Sequence, residues 1–122
     1  MKRVVLIDDD QMVRKLLSRA VRRWGLEPVG EAENGVAGLE VVAQTAPDVV
    51  IIDCSMPEMD GIETTRRLLA ETPDLKVIAY TGDVANEEQM REAGAIEFIQ
   101  KGESIDDVRA ALERLDLTGP PS

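Results

Sequence analysis

The sequence predicts an α/β fold: a doubly wound (βα)5 domain in which five parallel strands form one sheet with helices on both faces. Three observations carry that expectation. Unbroken four-residue apolar runs rich in β-branched side chains recur along the chain, as strands covered on both faces require. Between them lie segments with apolar residues at i, i+3, i+4 spacing, the signature of amphipathic helices. The two patterns alternate five times over 122 residues, a length that suits one domain with a core needing no disulfide or metal staple.

Taken in order, Val4–Ile7 is the first strand. A helix follows over Gln11–Trp24, with Asp10 as N-cap, a stripe of Val13, Leu16, Leu17, Ala20, Val21 and Trp24, and Gly25 at the C-terminal cap. Trp24, on that stripe, is expected in the core. Glu27–Glu31 is a weaker strand. Asn34 then caps a helix whose stripe is Val36, Leu39, Val42 and Ala43. Val49–Ile52 is the third strand, followed by a helix marked by Ile62, Thr65, Leu68 and Leu69. Val77–Tyr80 is the fourth, and Glu87–Ala93, closed by Gly94, is a short charged helix. Ile96–Gln100 is the fifth strand. Ser104-Ile105-Asp106-Asp107 opens the last helix like a capping box with Asp in place of Glu, and Ile105, Val108, Ala111, Leu112 and Leu115 form its buried stripe. The domain is expected over 1–117, with 118–122 as a flexible tail or the start of a linker.

Composition removes several chemistries. The chain holds 24 acidic and 14 basic residues, a formal net charge of −10, and no histidine. That excludes Ser-His-Asp and Cys-His nucleophile pairs, an imidazole base, an HExxH zinc site and a phosphohistidine carrier. A single cysteine, Cys54, excludes an internal disulfide, fits a reducing cytoplasm and reads as a small buried hydrophobe. No apolar run is long enough to span a membrane, and Asp8 ends the first apolar stretch too early for a signal peptide. The acidic balance argues against direct binding of nucleic-acid phosphates over a broad surface.

In open parallel sheets, function gathers beyond the carboxyl ends of the strands. Here strand one ends in Asp8-Asp9-Asp10, strand three in Asp53, strand four in Thr81 and strand five in Lys101. In the flavodoxin-like order 2-1-3-4-5, strands one and three are neighbours, so several carboxylates would face one pocket. Two such charges about 4 Å apart repel by roughly 4 kcal/mol at an effective dielectric near 20, which a bound cation relieves. Oxygen ligands without His or Cys select a hard ion, and Mg²⁺ suits a site that leaves room for water and phosphate. A carboxylate beside such an ion can attack phosphorus, a lysine supplies fixed positive charge and a hydroxyl a donor; Asp53, Lys101 and Thr81 fit those roles. The structural alternative is that each Asp merely caps the helix after it, as expected of Asp10.

These residues resemble the receiver domain of two-component response regulators. The resemblance spans residues 2 to about 115. It is carried by Val5-Leu6-Ile7-Asp8-Asp9-Asp10, by the run from Asp48 through Asp53-Cys54-Ser55-Met56-Pro57 to Asp60-Gly61, by Val77-Ile78-Ala79-Tyr80-Thr81-Gly82, and by Gly94 to Lys101. It implies that Asp53 is the phosphoacceptor. Asp9 and Asp53 would bind Mg²⁺ directly, Asp8 through water, and Ser55 through its backbone carbonyl. Lys101 would contact the phosphoryl group, Thr81 would swing toward it after transfer, and Phe98 would rotate into the space released. Met56-Pro57 and Asp60-Gly61 match the loop that shapes the site. The phosphoryl group would come from the phosphohistidine of a histidine kinase or phosphotransfer protein, or from a small phosphodonor. Gly102 follows Lys101 where many receivers carry proline, a departure shared with receivers that precede a helix-turn-helix DNA-binding domain. Asp83, two residues past Thr81, sits where it can influence hydrolysis of the phosphoryl group, the alternative being a simple solvated loop acid.

Two alternatives stand beside this. Asp8-Asp9-Asp10 after a strand also fits the DxD start of haloacid-dehalogenase-type phosphatases, with Asp8 as nucleophile and Asp10 as acid/base. A degenerate receiver acting only as a binding module is the other. Charge is uneven: residues 1–25 hold 7 basic and 3 acidic residues, whereas residues 83–107 hold 8 acidic and 2 basic. In receivers the first helix helps dock the phosphodonor, and the fourth helix, fifth strand and fifth helix carry output. The charge pattern with the resemblance therefore points to an output partner with a basic contact surface, or a C-terminal effector domain, the alternative being a merely solvated acidic face, and the resemblance is compatible with a phosphorylation-dependent homodimer.

Overall fold

The computed structural model describes residues 1–102 and 104–120. Glu103, counted above in the acidic stretch, and Pro121 and Ser122 of the expected tail lie outside the described residues. Five strands, β1 (Lys2–Ile7), β2 (Leu26–Ala32), β3 (Val49–Ile52), β4 (Lys76–Thr81) and β5 (Glu97–Gln100), pair in parallel in the order β2-β1-β3-β4-β5. Five helices alternate with them: α1 (Gln11–Arg23), α2 (Gly35–Thr45), α3 (Gly61–Glu71), α4 (Glu87–Ala93) and α5 (Asp106–Arg114). This is the flavodoxin-like arrangement the alternation predicts.

Strand alternation sorts the core into two layers. Val4 and Leu6 of β1, Val49 and Ile51 of β3, and Ile78 and Tyr80 of β4 pack with Leu17, Val21 and Trp24 of the α1 side and Val108 and Leu112 of α5. Val5, Ile7, Val50, Ile52, Val77 and Ala79 point the other way, onto Val42 of α2, Ile62 and Leu68 of α3 and Met90 of α4. The apolar runs are unbroken because both faces are covered. β2, at the edge, is less buried, and there Pro28 and a register shift between Val4 and Val5 are tolerated.

The caps fall largely where the side chains indicate. Asp10 accepts from the Met12 and Val13 amides, Asn34 from Ala37, and Asp60 from Glu63. Asp60-Gly61, expected in the loop near the site, thus starts α3. Gly61 is required there because a methyl on it would collide with the Asp53 carbonyl oxygen. The expected capping box at Ser104 does not form: Ile105 is the N-cap of α5 with no side-chain cap bond, and the Ser104 hydroxyl accepts from the Asp106 amide, two residues ahead and not three. A 3-10 turn over Val84–Asn86, absent from the periodicity reading, precedes α4; the Asp83 carboxylate accepting from Ala85 holds it. Beyond α5, Leu117 is buried and the Gly119 amide donates to the Trp24 carbonyl.

Candidate functional site

The register places the polar ends of the inner strands side by side. Ile7 is paired with Ile52 across β1 and β3, so Asp8 and Asp53 emerge together, and the Asp53 amide donates to the Ile7 carbonyl. Thr81 is paired with Gln100, and the Lys101 amide donates to the Thr81 carbonyl, which brings Lys101 up beside them. Asp8 and Asp53 are buried and Asp9 is exposed. One carboxylate oxygen from each of the three lies within 4.8 Å of the others.

Lys101 spans this cluster. Its Nζ is 2.7 Å from Asp8 Oδ2 and 3.2 Å from Asp53 Oδ2, and 5.9 Å from the centre of the Tyr80 ring, within cation–π range. The other carboxylate oxygens accept from main-chain amides: Asp8 Oδ1 from Asp10, and Asp53 Oδ1 from Ser55. Burial pushes the Asp8 carboxyl above its ordinary value, more than its Lys101 and Asp10 hydrogen bonds pull it down. For Lys101, burial works toward a lower value, but the hydrogen bond and charge of Asp8 together with the charge of Asp53 outweigh it and hold the ammonium above the ordinary lysine range. Among the described residues, the one cation in the cluster, Lys101, pairs with two of its three carboxylates. An oxygen-only donor set with residual negative charge, open on the Asp9 side, fits a hard divalent ion.

The sequence profile of the response regulator receiver domain matches residues 4–113. The chain belongs to that family. Among curated relatives, the protein-glutamate methylesterase/protein-glutamine glutaminase 3 of Hahella chejuensis is 38% identical over 118 residues, covering 92% of this chain and 34% of that protein. Response regulator GacA of Pseudomonas viridiflava is 36% identical over 124 residues, covering 98% of this chain and 56% of that protein. The receiver domain thus spans from about a third to about half the length of these relatives. Among solved structures, the receiver domain of the putative response regulator NarL from Mycobacterium tuberculosis superposes with a TM-score of 0.84 at 30% identity, covering 94% of this chain and 96% of that one. Thermotoga maritima TrrA, in complex with Mg²⁺-BeF, gives 0.87 at 28%, covering 94% and 99%.

Within this receiver domain, strand alternation separates two groups of side chains. Asp8, Asp53, Lys101 and Tyr80 continue the α1/α5 side. Thr81 continues the other, with Val77 and Ala79, and is buried. Its hydroxyl accepts from the Asp83 amide at 3.2 Å and neighbours the Cys54 thiol. Burial pushes that thiol up to about 11, so Cys54 is an inert apolar wall, as read from the sequence. Phe98 is half-buried against the same layer. Asp83 also accepts from Asn86 Nδ2, tying the β4–α4 loop into a compact turn. Among the described residues, Thr81 makes no side-chain bond to Lys101 or Asp53.

Two residues near the site escape sequence reasoning. Tyr80 sits in an apolar run and reads as core, yet its ring lies under the Lys101 ammonium. Arg14 reads as one of several basic residues on α1, yet its guanidinium reaches the Asp8 carbonyl at 2.6 Å and the Glu31 carboxylate at 3.2 Å. No local signal marks either, because both contacts depend on the approach of a different element. Among the described residues, no helix is long and apolar enough to cross a membrane.

Proposed function

We propose that this receiver domain is a phosphorylation-controlled switch in which Asp53 accepts a phosphoryl group from the phosphohistidine of a histidine kinase or phosphotransfer protein. The observation that carries the reading is the convergence of Asp8, Asp9 and Asp53 on one point, with Lys101 3.2 Å from the Asp53 carboxylate. Asp9 and Asp53 would hold Mg²⁺ directly, Asp8 through water and Ser55 through its backbone carbonyl. Bound there, Mg²⁺ supplies charge neutralisation and alignment of phosphoryl oxygens. An Asp53 carboxylate oxygen forms the new O–P bond as the N–P bond of the donor breaks, its electron pair passing to the imidazole nitrogen. Lys101 turns from the carboxylates to the transferred phosphoryl oxygens and balances part of their charge.

The readout follows from the two groups of side chains. Thr81 leaves the Asp83 amide and swings toward the new phosphoryl group, and Phe98 moves inward on the side Thr81 vacates. These shifts bias two arrangements of α4 and β5. The face formed by α4, β5 and α5 is acidic, which fits an output partner or effector domain with a basic contact surface and salt-dependent binding. Residues 1–117 form the switch; the setting is the cytoplasm, and phosphorylation favours a homodimer. Beyond accepting and hydrolysing its own phosphoryl group, the domain catalyses nothing. Asp10, the acid/base of the phosphatase alternative, has its carboxylate committed to the first-turn amides of α1.

The test is labelling by a small phosphodonor with Mg²⁺. The parent is expected to become stoichiometrically labelled and Asp53→Asn to remain blank. Stoichiometric, acid-stable labelling of Asp53→Asn would overturn the acyl-phosphate reading.

A further inference from the structure

We propose that Arg14 is a positioning residue for the metal-binding carboxylates, acting through the Asp8–Asp9 peptide with Glu31 as its anchor. The inference rests on the reading that Asp8, Asp9 and Asp53 hold Mg²⁺. Asp8 is fixed by its own side chain: Oδ1 accepts from Asp10 and Oδ2 meets Lys101. Asp53 is fixed likewise, by Ser55 and Lys101. Asp9 differs. It is exposed, and among the described residues its carboxylate has no hydrogen-bond or ion-pair partner. Its aim depends on the main chain that carries it.

The Asp8 carbonyl and the Asp9 nitrogen belong to one planar peptide, so fixing that carbonyl fixes the plane from which the Asp9 side chain departs. Arg14 Nη1 donates to the Asp8 carbonyl at 2.6 Å. The same guanidinium donates through Nε to Glu31 Oε1 at 3.2 Å, and the Arg14 side chain is only 14% exposed. Next to Glu31, the Ala32 carbonyl accepts the Asp8 amide at 3.0 Å. The end of β1, the second turn of α1 and the end of β2 are thereby closed into a ring around the Asp8–Asp9 peptide. The planar fork of arginine serves two acceptors in different directions, which an ammonium on a flexible stem does less well. Pairing with Glu31 also offsets positive charge that would otherwise disfavour a dication nearby.

Groups that orient metal ligands typically change metal affinity by about 10–100-fold when removed. Isothermal titration of the whole chain with Mg²⁺, alongside the Mg²⁺ dependence of phosphodonor labelling, tests the assignment. Arg14→Met is expected to weaken Mg²⁺ binding about tenfold, Arg14→Lys by less, and Glu31→Gln in the same direction. The labelling rate at saturating Mg²⁺ should stay within about twofold of the parent, since Arg14 touches no reacting atom. In metal-free protein, hydrogen exchange at the Asp9 and Asp10 amides should quicken in Arg14→Met while the β3 and β4 amides do not change. Should Arg14→Met fail to fold, Glu31→Gln, whose partially exposed carboxylate is the anchor, carries the test. Unchanged Mg²⁺ affinity in folded Arg14→Met, or lost maximal rate with unchanged affinity, overturns the proposal. Asp9→Asn and Asp53→Asn control for the underlying reading: parent-like Mg²⁺ binding in both would remove the metal site itself, separately from any Arg14 result.

Discussion

Replacing Lys101 with methionine preserves the length of the side chain and removes the ammonium that lies 2.7 Å from Asp8 Oδ2 and 3.2 Å from Asp53 Oδ2. At an effective dielectric near 20, the gross attractions are about 6 and about 5 kcal/mol. Most of this offsets the cost of holding three charges in a site where the lysine side chain is only 19% exposed. Removing one member of a buried pair typically costs about 3–5 kcal/mol. Asp8, whose carboxyl burial already pushes up, can take a proton to relieve part of that, so about 2–3 kcal/mol is expected for the metal-free protein. For a domain of this size that lowers Tm by about 10 °C, read by thermal unfolding in chelator at neutral pH. Lys101 gains its partners on folding, so its contribution is fully present below the ordinary lysine value of 10.5 and is lost as pH rises through the higher folded value. The parent and Lys101→Met should therefore differ steadily across the neutral range and converge in strong alkali.

The same substitution has a second, opposite consequence. The ammonium and a dication compete for the same oxygens, so Lys101→Met should bind Mg²⁺ about tenfold more tightly, or about 1.4 kcal/mol. Added Mg²⁺ then narrows the stability gap by mass action. A metal-free variant as stable as the parent, or one that binds Mg²⁺ less tightly, would refute the electrostatic account of the site.

Three further outcomes follow from the geometry. Asp8→Asn should stabilise the metal-free protein at neutral pH. Its folded carboxyl is raised, so ionisation costs stability above that value, and the gain over the parent should vanish as pH falls toward 3.8; chemical denaturation at several pH values reads this. Gly61→Ala should destabilise by about 2–3 kcal/mol and slow phosphodonor labelling, because its methyl would displace the Asp53–Cys54 backbone; parent-like stability would contradict the close approach. Cys54, 1% exposed with its thiol near 11, should resist a disulfide reagent at pH 8 until the protein is unfolded, whereas rapid labelling of folded protein would mean the layer around it opens.

Most of the architecture is legible because each strand carries its own evidence. Val4–Ile7, Val49–Ile52 and Val77–Tyr80 are apolar on both faces, and β1, β3 and β4 are the three inner strands. The edge strands β2 and β5 are weaker in sequence for the same reason, being less completely buried. The 3-10 turn over Val84–Asn86 was not legible, since one turn has no period; its signal is Asp83 acting as a cap. At the site, Asp8, Asp53 and Lys101 could be named from strand ends. That Thr81 faces Cys54 rather than Lys101 follows only once β4 has a register and each residue a side.

By itself the sequence determined the order and kind of elements, the absence of imidazole chemistry and the residues at the ends of the strands, because these depend on local periodicity, composition and position. Only the tertiary structure decided which of those residues meet. Parallel pairing of β1 with β3 brings Asp8 and Asp53 together across a separation of 45 residues, and the pleat puts Lys101 and Tyr80 on their side and Thr81 on the other. Arg14 and Glu31, six and 23 residues from Asp8, close on the same peptide only when α1 and β2 pack around the end of β1. Such contacts arise from the packing of whole elements, and no stretch of sequence contains them.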